Sequence, residues 1–202
     1  MSNAPRKVAL VTGAATGIGR ACATRCARMG LGVAVNYSRS EPEAQETLDE
    51  VKRHGVPATL CKCSVADDAG VRAMVARCRE ELGGLDVLVC NAGTTHFIDA
   101  ADLEALTDAV WDDIFAVNVK GTFSCCRAAL SLLKERKGGI VNVTSVAGLQ
   151  GQGSSIPYRG EQGGVELPHQ VAGAGLRPGG ARQRRRLPGP RHQPDDRPGG
   201  GS

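Results

Sequence analysis

The sequence lacks long apolar runs and paired cysteines. No apolar run reaches the ~18 residues that a membrane-spanning helix needs, and the N-terminal stretch MSNAPRK has no apolar targeting core. None of the eight cysteines belongs to a Cys-x-x-Cys pair, and several lie in apolar helix or strand patterns. We therefore expect reduced, buried thiols without a metal site, no contact with a membrane, and a cytoplasmic protein.

Residues 159–202 lack lysine, isoleucine, methionine, cysteine and aromatic side chains. They hold instead 11 of the 27 glycines, 6 of the 10 prolines and 8 arginines, and they carry the whole net charge of +4. Because residues 1–158 are balanced in charge, the basic isoelectric point indicates nothing about the partners of that part. A segment of such composition buries too little apolar surface to offset its chain entropy. The composition therefore predicts an ordered domain over residues 1–158 and a disordered Gly/Pro/Arg-rich tail over 159–202.

Strand and helix patterns alternate strictly as far as Ser145. Apolar runs such as KVALVTG and GVAVNY predict buried strands, and GIGRACATRCARMG has the spacing of a helix that ends at glycine. The runs are apolar throughout, which is typical of strands covered on both faces. The pattern predicts an α/β fold with a doubly wound parallel sheet of Rossmann type, incomplete at its C-terminal end. A long helical pattern later in the chain has a predicted break near Asn118.

The stretch TGAATGIG, Thr12 to Gly19, follows the first strand and opens the first helix. Its glycines at 13, 17 and 19 allow the backbone to approach a diphosphate, and the N–H groups at the start of the helix attract an anion. In this strand–turn–helix context the loop predicts a dinucleotide site, and a tight turn without a ligand is the alternative.

The Gly-x-x-x-Gly-x-Gly spacing of this loop resembles that of the short-chain dehydrogenase/reductase family. Further landmarks of the family follow in order: NAG at residues 91–93, Asn118, Ser145, and Tyr158 thirteen residues later. Within the family, LVTGAATGIG, AVNYSRS and VNVTSVAG are most similar to 3-oxoacyl-acyl-carrier-protein reductases. The resemblance implies a homo-oligomeric oxidoreductase that reduces a small-molecule ketone, or oxidises the matching secondary alcohol, by hydride transfer.

The resemblance also implies the roles of the site residues. Tyr158 is the expected general acid, Ser145 is expected to hydrogen-bond the carbonyl oxygen, and Asn118 is expected to hold a water in a proton relay. The expected cofactor-binding residues come from the glycine loop and from the ends of the next three strands: Gly13, Thr16, Gly17, Ile18, Gly19, Ser38, Arg39, Ser64, Val65, Asn91, Ala92 and Gly93.

The end of the second strand predicts which cofactor binds. NAD-preferring members place an acidic residue there, whereas here the strand runs into NYSRS. Ser38 and Arg39 are suited to hold a 2′-phosphate, so we expect NADP(H) in preference to NAD(H). A solvated surface cation is the alternative for Arg39. Thr16 and Ser64 depart from the basic residue and the aspartate that many members have at these positions.

The lysine that the family places four residues after its tyrosine is absent. Its ammonium lowers the pKa of the tyrosine and holds the nicotinamide ribose, whereas this chain has the uncharged Gln162. We therefore expect little or no turnover, and a non-catalytic dinucleotide-binding module is an alternative.

The cluster RQRRR indicates a third possible function, nucleic-acid binding. We do not favour it, because the tail has no aromatic side chain on which a base could stack.

The genetic code offers an explanation for the missing lysine. Residues 159–162 can be encoded as CGC GGC GAG CAA, followed by the G of Gly163. Omission of the first C gives GCG GCG AGC AAG, which encodes Ala-Ala-Ser-Lys and completes a Tyr-x-x-x-Lys site. Read the same way, residues 164–169 can become Ala-Leu-Asn-Ser-Leu-Thr, residues 181–186 can become Arg-Val-Asn-Ala-Val, and LPGP can become Cys-Pro-Gly, in the order that the family has. We hypothesise that residues 159–202 are translated out of frame, which would also remove the helix that builds the family's dimer interface.

The hypothesis predicts one extra base in or just after codon 158. Sequencing of the gene across this codon, and its alignment with genes of close relatives, checks the prediction. The codons for residues 91–118 are the control and should align without a gap. The hypothesis fails if the relatives carry the same tail in the same frame.

Overall fold

The computed structural model describes residues 6–99, 101–150, 154–164 and 182–186. The composition predicts a disordered tail over residues 159–202. Most of these residues lie outside the described ranges. Within the described ranges, no helix combines the length and the apolar character that crossing a bilayer requires.

The described strands form one parallel sheet in the order β3-β2-β1-β4-β5-β6. The strands are β1 Val8–Val11, β2 Gly32–Tyr37, β3 Ala58–Lys62, β4 Val87–Cys90, β5 Gly139–Val143 and β6 Arg182–Arg186. The chain goes outward from β1 to β3 and then returns to place β4 on the other side of β1. In open parallel sheets, ligands bind at the carboxyl ends of the strands beside such a reversal. The carboxyl ends of β1 and β4 are therefore the expected location of a ligand site.

Helices connect the strands: α1 Gly17–Arg28, α2 Glu41–Lys52, α3 Asp68–Leu82, α4 Asp108–Ile114, α5 Thr122–Arg136, α6 Ala147–Gln150 and α7 Ile156–Gly164. Between α4 and α5 the chain forms a π-helical segment, Phe115–Gly121. Asn118 lies in the middle of this segment, where the sequence predicts a break. Such wide turns inside a helix are frequent at functional sites.

Apolar layers cover both faces of the sheet. On one face, Leu10, Leu88 and Ile140 pack with residues of α3 and α5 that include Met74 and Leu133. On the other face, valines of β1 and β2 pack with residues of α1 and α2. Every residue of β1 and β2 is buried, so their continuous apolar runs reflect strands covered on both sides. The predicted α/β fold with a doubly wound, Rossmann-type parallel sheet is confirmed.

Two described elements lie beyond the predicted domain boundary after Tyr158. The helix α7 continues to Gly164 and packs against α4, α6 and the π-helical segment. The strand β6 pairs with β5 from Gly139 opposite Arg182 to Val143 opposite Arg186. The fold of residues 6–158 is thus continued by α7 and β6, and α7 brings Tyr158 to the end of β5.

Candidate active site

The glycine loop between β1 and α1 packs closely on one side and is open on the other. Gly13 and Gly17 have positive φ angles of 60° and 54°. A Cβ on Gly13 would lie 2.8 Å from the Cα of Ala92, and one on Gly19 would overlap the carbonyl oxygen of Gly13. A Cβ on Gly17, by contrast, would have no heavy atom within 4 Å. Gly13 and Gly19 therefore permit the packing of the loop, and Gly17 borders open space in which a ligand can approach the backbone.

The start of α1 suits an anion. Thr16 is the N-cap residue but makes no side-chain hydrogen bond to the helix, and the first turn has no acidic residue. The N–H groups of this turn therefore keep their partial positive charge available to a ligand. Together with the open space at Gly17, this geometry fits the diphosphate of a dinucleotide.

Hydrogen bonds tie the glycine loop to the end of β4. The backbone N–H groups of Asn91 and Ala92 donate to Thr12 Oγ1 over 2.9 Å and 3.0 Å. Asn91 Nδ2 donates to the carbonyl oxygens of Thr12 and Gly13, both over 3.0 Å. The two loops at the switch point of the sheet are therefore held as one unit. Asn91 and Ala92 are among the predicted cofactor residues, whereas no sequence signal singles out Thr12.

Asn36 is a second supporting residue that the sequence reasoning missed. It is 1% exposed within β2, and its Oδ1 accepts a hydrogen bond from Gly13 N over 3.2 Å. Its Nδ2 donates to the carbonyl oxygens of Cys61 and Cys63, both over 3.0 Å. A single asparagine inside the apolar run GVAVNY was the available signal, since a buried amide needs partners.

The residues predicted to contact the ribose and adenine lie at the ends of β2 and β3. Ser38 and Arg39 are exposed, and Arg39 forms no ion pair with any residue in the described part of the chain. Ser64 is exposed and its Oγ accepts a hydrogen bond from Ala66 N over 3.3 Å. Val65 is buried against the position of Gly121. Arg39 is thus available to an anionic ligand beside β2.

A cavity of about 530 Å³ lies at the carboxyl ends of β4 and β5. It brings together several residues that the sequence predicts for one site: Ile18, Asn91, Ala92, Gly93, Asn118, Ser145 and Tyr158. The lining also includes residues that were not predicted: Cys90, Thr94, Thr95, Thr122, Asn142, Val143, Thr144, Val146 and Gln162. The other predicted cofactor residues do not line it: Gly13, Thr16, Gly17, Gly19, Ser38, Arg39, Ser64 and Val65.

A continuous chain of hydrogen bonds crosses this site. Thr94 N donates to Asn118 Oδ1 over 2.8 Å, and Asn118 Nδ2 donates to Thr94 O over 2.9 Å. Asn118 Nδ2 also donates to Glu161 Oε1 over 2.6 Å. Gln162 Nε2 donates to the same Glu161 oxygen over 2.8 Å, and Ser145 N donates to Gln162 Oε1 over 2.6 Å. Both N–H bonds of the Asn118 side-chain amide are therefore engaged. The expected relay water could bind this side chain only through the second lone pair of Asn118 Oδ1.

Glu161 is the titratable group in the middle of this chain, and the sequence reasoning did not identify it. The residue is 1% exposed. Burial raises the pKa of its carboxyl, although the hydrogen bonds from Asn118 and Gln162 act in the opposite direction. Its Oε2 is buried and has no hydrogen-bond partner among the residues that the structure describes. Glu161 therefore keeps its proton to a higher pH than an exposed glutamate does.

Several buried polar atoms have no partner in the described part of the chain. They are Asn142 Oδ1, Asn142 Nδ2, Thr144 Oγ1, Ser155 Oγ, Glu161 Oε2 and, on α1, Thr24 Oγ1. Asn142 and Thr144 line the cavity, so a molecule bound there can satisfy their polar atoms. Glu161 is not part of the lining, and an unsatisfied buried acceptor such as its Oε2 costs about 1–3 kcal/mol.

The substitution E161Q should remove a pH dependence of stability. Because the folded pKa is raised, the unfolded chain loses this proton first, near pH ~4.3. The stability of the wild type therefore falls as the pH rises from there to the folded pKa, by about 1.4 kcal/mol for each unit between the two pKa values. E161Q keeps an acceptor for Asn118 and Gln162 but cannot ionise, so it should be the more stable protein above this window.

Urea unfolding of both proteins between pH 4 and pH 8 measures the difference. E104Q, at an exposed glutamate, is the matched control and should follow the wild type. Parallel stability curves for the wild type and E161Q would show that burial does not hold the proton on Glu161.

Comparisons with known proteins identify the family. The family model described as short chain dehydrogenase matches residues 7–178. The 3-oxoacyl-[acyl-carrier-protein] reductase FabG of Staphylococcus aureus (strain Mu50 / ATCC 700699) is 40% identical over 160 residues, which are 79% of this chain and 64% of the relative. A Streptomyces violaceoruber protein, assigned as ketoacyl reductase 2 of the granaticin polyketide synthase, is 42% identical over 158 residues, which are 78% of this chain and 62% of the relative. The chain thus covers less than two thirds of the length of these curated relatives.

A solved structure gives the same result for the fold. A Burkholderia xenovorans protein assigned as a short-chain dehydrogenase/reductase superposes with a TM-score of 0.84 and 31% identity, over 90% of this chain and 75% of that one. The resemblance predicted from the glycine loop, Asn118, Ser145 and Tyr158 is therefore confirmed at the level of the family. The chain belongs to the short-chain dehydrogenase family, in which it is similar to FabG-type reductases.

Proposed function

We propose that this chain is a cytoplasmic NADP(H)-dependent oxidoreductase whose substrate is a ketone of the 3-oxoacyl thioester type, or the matching secondary alcohol. The observation that carries the proposal is the cavity that Asn118, Ser145 and Tyr158 line together with residues 91–93. The names of the ketoacyl-reducing relatives support the substrate class. None of the eight cysteines, all of which lie in the described ranges, forms a disulfide, and this supports a reducing compartment.

The residues of the cavity have distinct chemical tasks in this proposal. A bound nicotinamide dinucleotide would supply the hydride. Tyr158 gives a proton to the carbonyl oxygen of the substrate. Ser145 Oγ accepts a hydrogen bond from Ala147 N over 3.2 Å, so its own hydrogen remains for the same carbonyl oxygen. Ser145 and Tyr158 thus stabilise the oxygen on which negative charge develops.

Gln162 limits this chemistry. Its side chain is neutral, its Oε1 accepts from Ser145 N and its Nε2 donates to Glu161. No cation therefore stands beside Tyr158 at the position where the family has lysine. We accordingly propose that proton transfer, and with it turnover, is slow in this chain. The buried Oε2 of Glu161, which has no partner among the described residues, supports the hypothesis that α7 replaced a better-matched segment.

Exposed aromatic side chains along α4, the π-helical segment and α5 are relevant to the oligomeric state of the protein. Trp111, Phe115 and Phe123 are 37%, 40% and 40% exposed, and the rings of Trp111 and Phe115 lie 5.9 Å apart. Exposed aromatic groups of this kind mark contact surfaces. Together with the out-of-frame hypothesis, they support the proposal that this chain has lost part of the family's homo-oligomer interface.

A second candidate function is a dinucleotide-binding module without turnover. The neutral Gln162 favours it, because the glycine loop needs no catalytic cation in order to bind a diphosphate. The two candidates agree on cofactor binding and differ only in turnover. Experiments on the two properties therefore have to be separate.

Replacement of Arg39 tests the choice of cofactor. R39E should weaken NADPH binding by about tenfold or more, because a charge-assisted contact to the 2′-phosphate is lost. NADH binding should change little. Titration of cofactor fluorescence measures both dissociation constants, and R53E, at another exposed arginine, controls for net charge. If the wild type binds NADH as tightly as NADPH, the proposed preference is wrong.

Restoration of the family pattern tests catalysis. The double variant E161S/Q162K, which has the Tyr-x-x-Ser-Lys pattern, should reduce acetoacetyl-coenzyme A with NADPH about 100-fold faster than the wild type. Q162K alone should gain less, because its ammonium would pair with Glu161. Removal of the phenol by Y158F should abolish the gain in the double variant.

The rates and the cofactor binding together decide between the two candidates. A wild type as fast as E161S/Q162K would show that Gln162 is sufficient for catalysis. If all variants bind NADPH and none turns over, the binding module is the better description.

A further inference from the structure

Two thiols meet in the wall between β4 and α5. Cys90 is the last residue of β4, and Cys126 lies in the second turn of α5. Their sulfur atoms are 4.0 Å apart, which is van der Waals contact. The two residues are 4% and 5% exposed. Neither thiol has a task in the proposed reaction.

Only one of the two thiols borders the cavity. Cys90 lines it, next to the predicted cofactor residues that begin at Asn91, whereas Cys126 lies behind Cys90 and is not part of the lining. A reagent of the size of a few water molecules can therefore reach Cys90 while the chain stays folded. The contact with Cys126, together with burial, raises the pKa of the Cys90 thiol, and the same contact lowers the pKa of the Cys126 thiol, which suits Cys126 to a second attacking step. Reaction at Cys90 should accordingly be slower than at an exposed thiol and should accelerate as the pH rises.

We propose that Cys90 and Cys126 are an oxidisable dithiol, which a hydroperoxide entering the cavity converts into a disulfide between β4 and α5. In the first step the Cys90 sulfur attacks a peroxide oxygen, the O–O bond breaks, and the thiol proton leaves with hydroxide as water. In the second step the Cys126 sulfur attacks the sulfenic sulfur, the S–O bond breaks, and a second water leaves. The two thiols lose two electrons in total, and one hydrogen peroxide is reduced to two waters.

The disulfide would change the cavity. An S–S bond is about 2.05 Å long, so the two sulfur atoms must approach by roughly 2 Å. The chain runs from Cys90 directly into Asn91, whose side chain holds the glycine loop. The movement therefore acts on the floor of the cavity, and the thiol pair is coupled to the proposed cofactor site through one peptide bond.

The neighbouring cysteine provides a matched control. Cys125 is 1% exposed and precedes Cys126 in α5. In an unfolded chain the two cysteines can reach Cys90 equally well, but in the folded chain they cannot.

The reduced full-length chain is treated with dilute hydrogen peroxide, remaining thiols are blocked with N-ethylmaleimide, and intact mass gives the number of free thiols. The wild type and C125S should each lose two thiols. C126S should lose none by cross-linking, and its Cys90 should be trapped as a sulfenic acid by dimedone.

The same reactions in about 8 M urea show whether the folded structure selects the pair. In the unfolded chain C125S and C126S should cross-link at rates within about twofold of each other, because either cysteine can then reach Cys90. In buffer the ratio of these rates should exceed about tenfold. Tandem mass spectrometry of the wild type should place the bond between Cys90 and Cys126 directly, which covers the case of a variant that folds poorly.

Two results would overturn the proposal. One is native cross-linking of C126S as fast as that of C125S. The other is a wild-type disulfide between a different pair, such as Cys22 and Cys26 on α1. Neither result depends on NADPH binding or turnover, so the failure of this proposal is distinguishable from the failure of the proposed function.

Discussion

The attachment of α7, and with it the position of Tyr158, depends on one buried carboxyl group. Glu161 accepts hydrogen bonds from Asn118 in the π-helical segment and from Gln162, which in turn accepts one from the backbone of Ser145. Within the described residues no cation contributes to the pKa of Glu161, so burial of its charged form would cost free energy. The neutral form suits the fold, but neither Glu161 nor the uncharged Gln162 supplies the cation that the proposed acid catalysis by Tyr158 would use.

The two halves of the site differ in how completely their buried polar groups are hydrogen-bonded. At the cofactor half, Thr12, Asn36 and Asn91 satisfy one another and the backbone around Gly13. At the catalytic half, Glu161 Oε2 is buried with no partner among the described residues. A polar network that is complete gives a single rigid arrangement, whereas a partly satisfied one costs stability. The hypothesis of a changed reading frame after Tyr158 predicts such a difference, because under it the residues before that point would have evolved against a different α7.

The sheet and the geometry of the glycine loop were predictable from the sequence because both depend on local signals. Apolar runs such as KVALVTG indicate strands that are buried on both faces. The glycines of TGAATGIG indicate a backbone geometry that only glycine adopts easily. The break at Asn118 was also visible, although not its π-helical form. The roles of Asn36 and Glu161 were not predictable, because each depends on which backbone groups the tertiary fold brings near. Glu161 lies in a stretch whose composition indicates exposure, and only the packing of α7 against Asn118 buries it.

The outermost strand of the described sheet has a further consequence. Four of the five residues of β6, Arg182–Arg186, are arginines, and β6 has a partner only on its β5 side within that sheet. Because the sequence of this edge strand is densely basic, repulsion between like charges opposes its pairing with an identical strand. Added salt screens such repulsion within about 8–10 Å. Fibrillar self-association of this protein through β6 should therefore be suppressed in dilute buffer and promoted by high ionic strength.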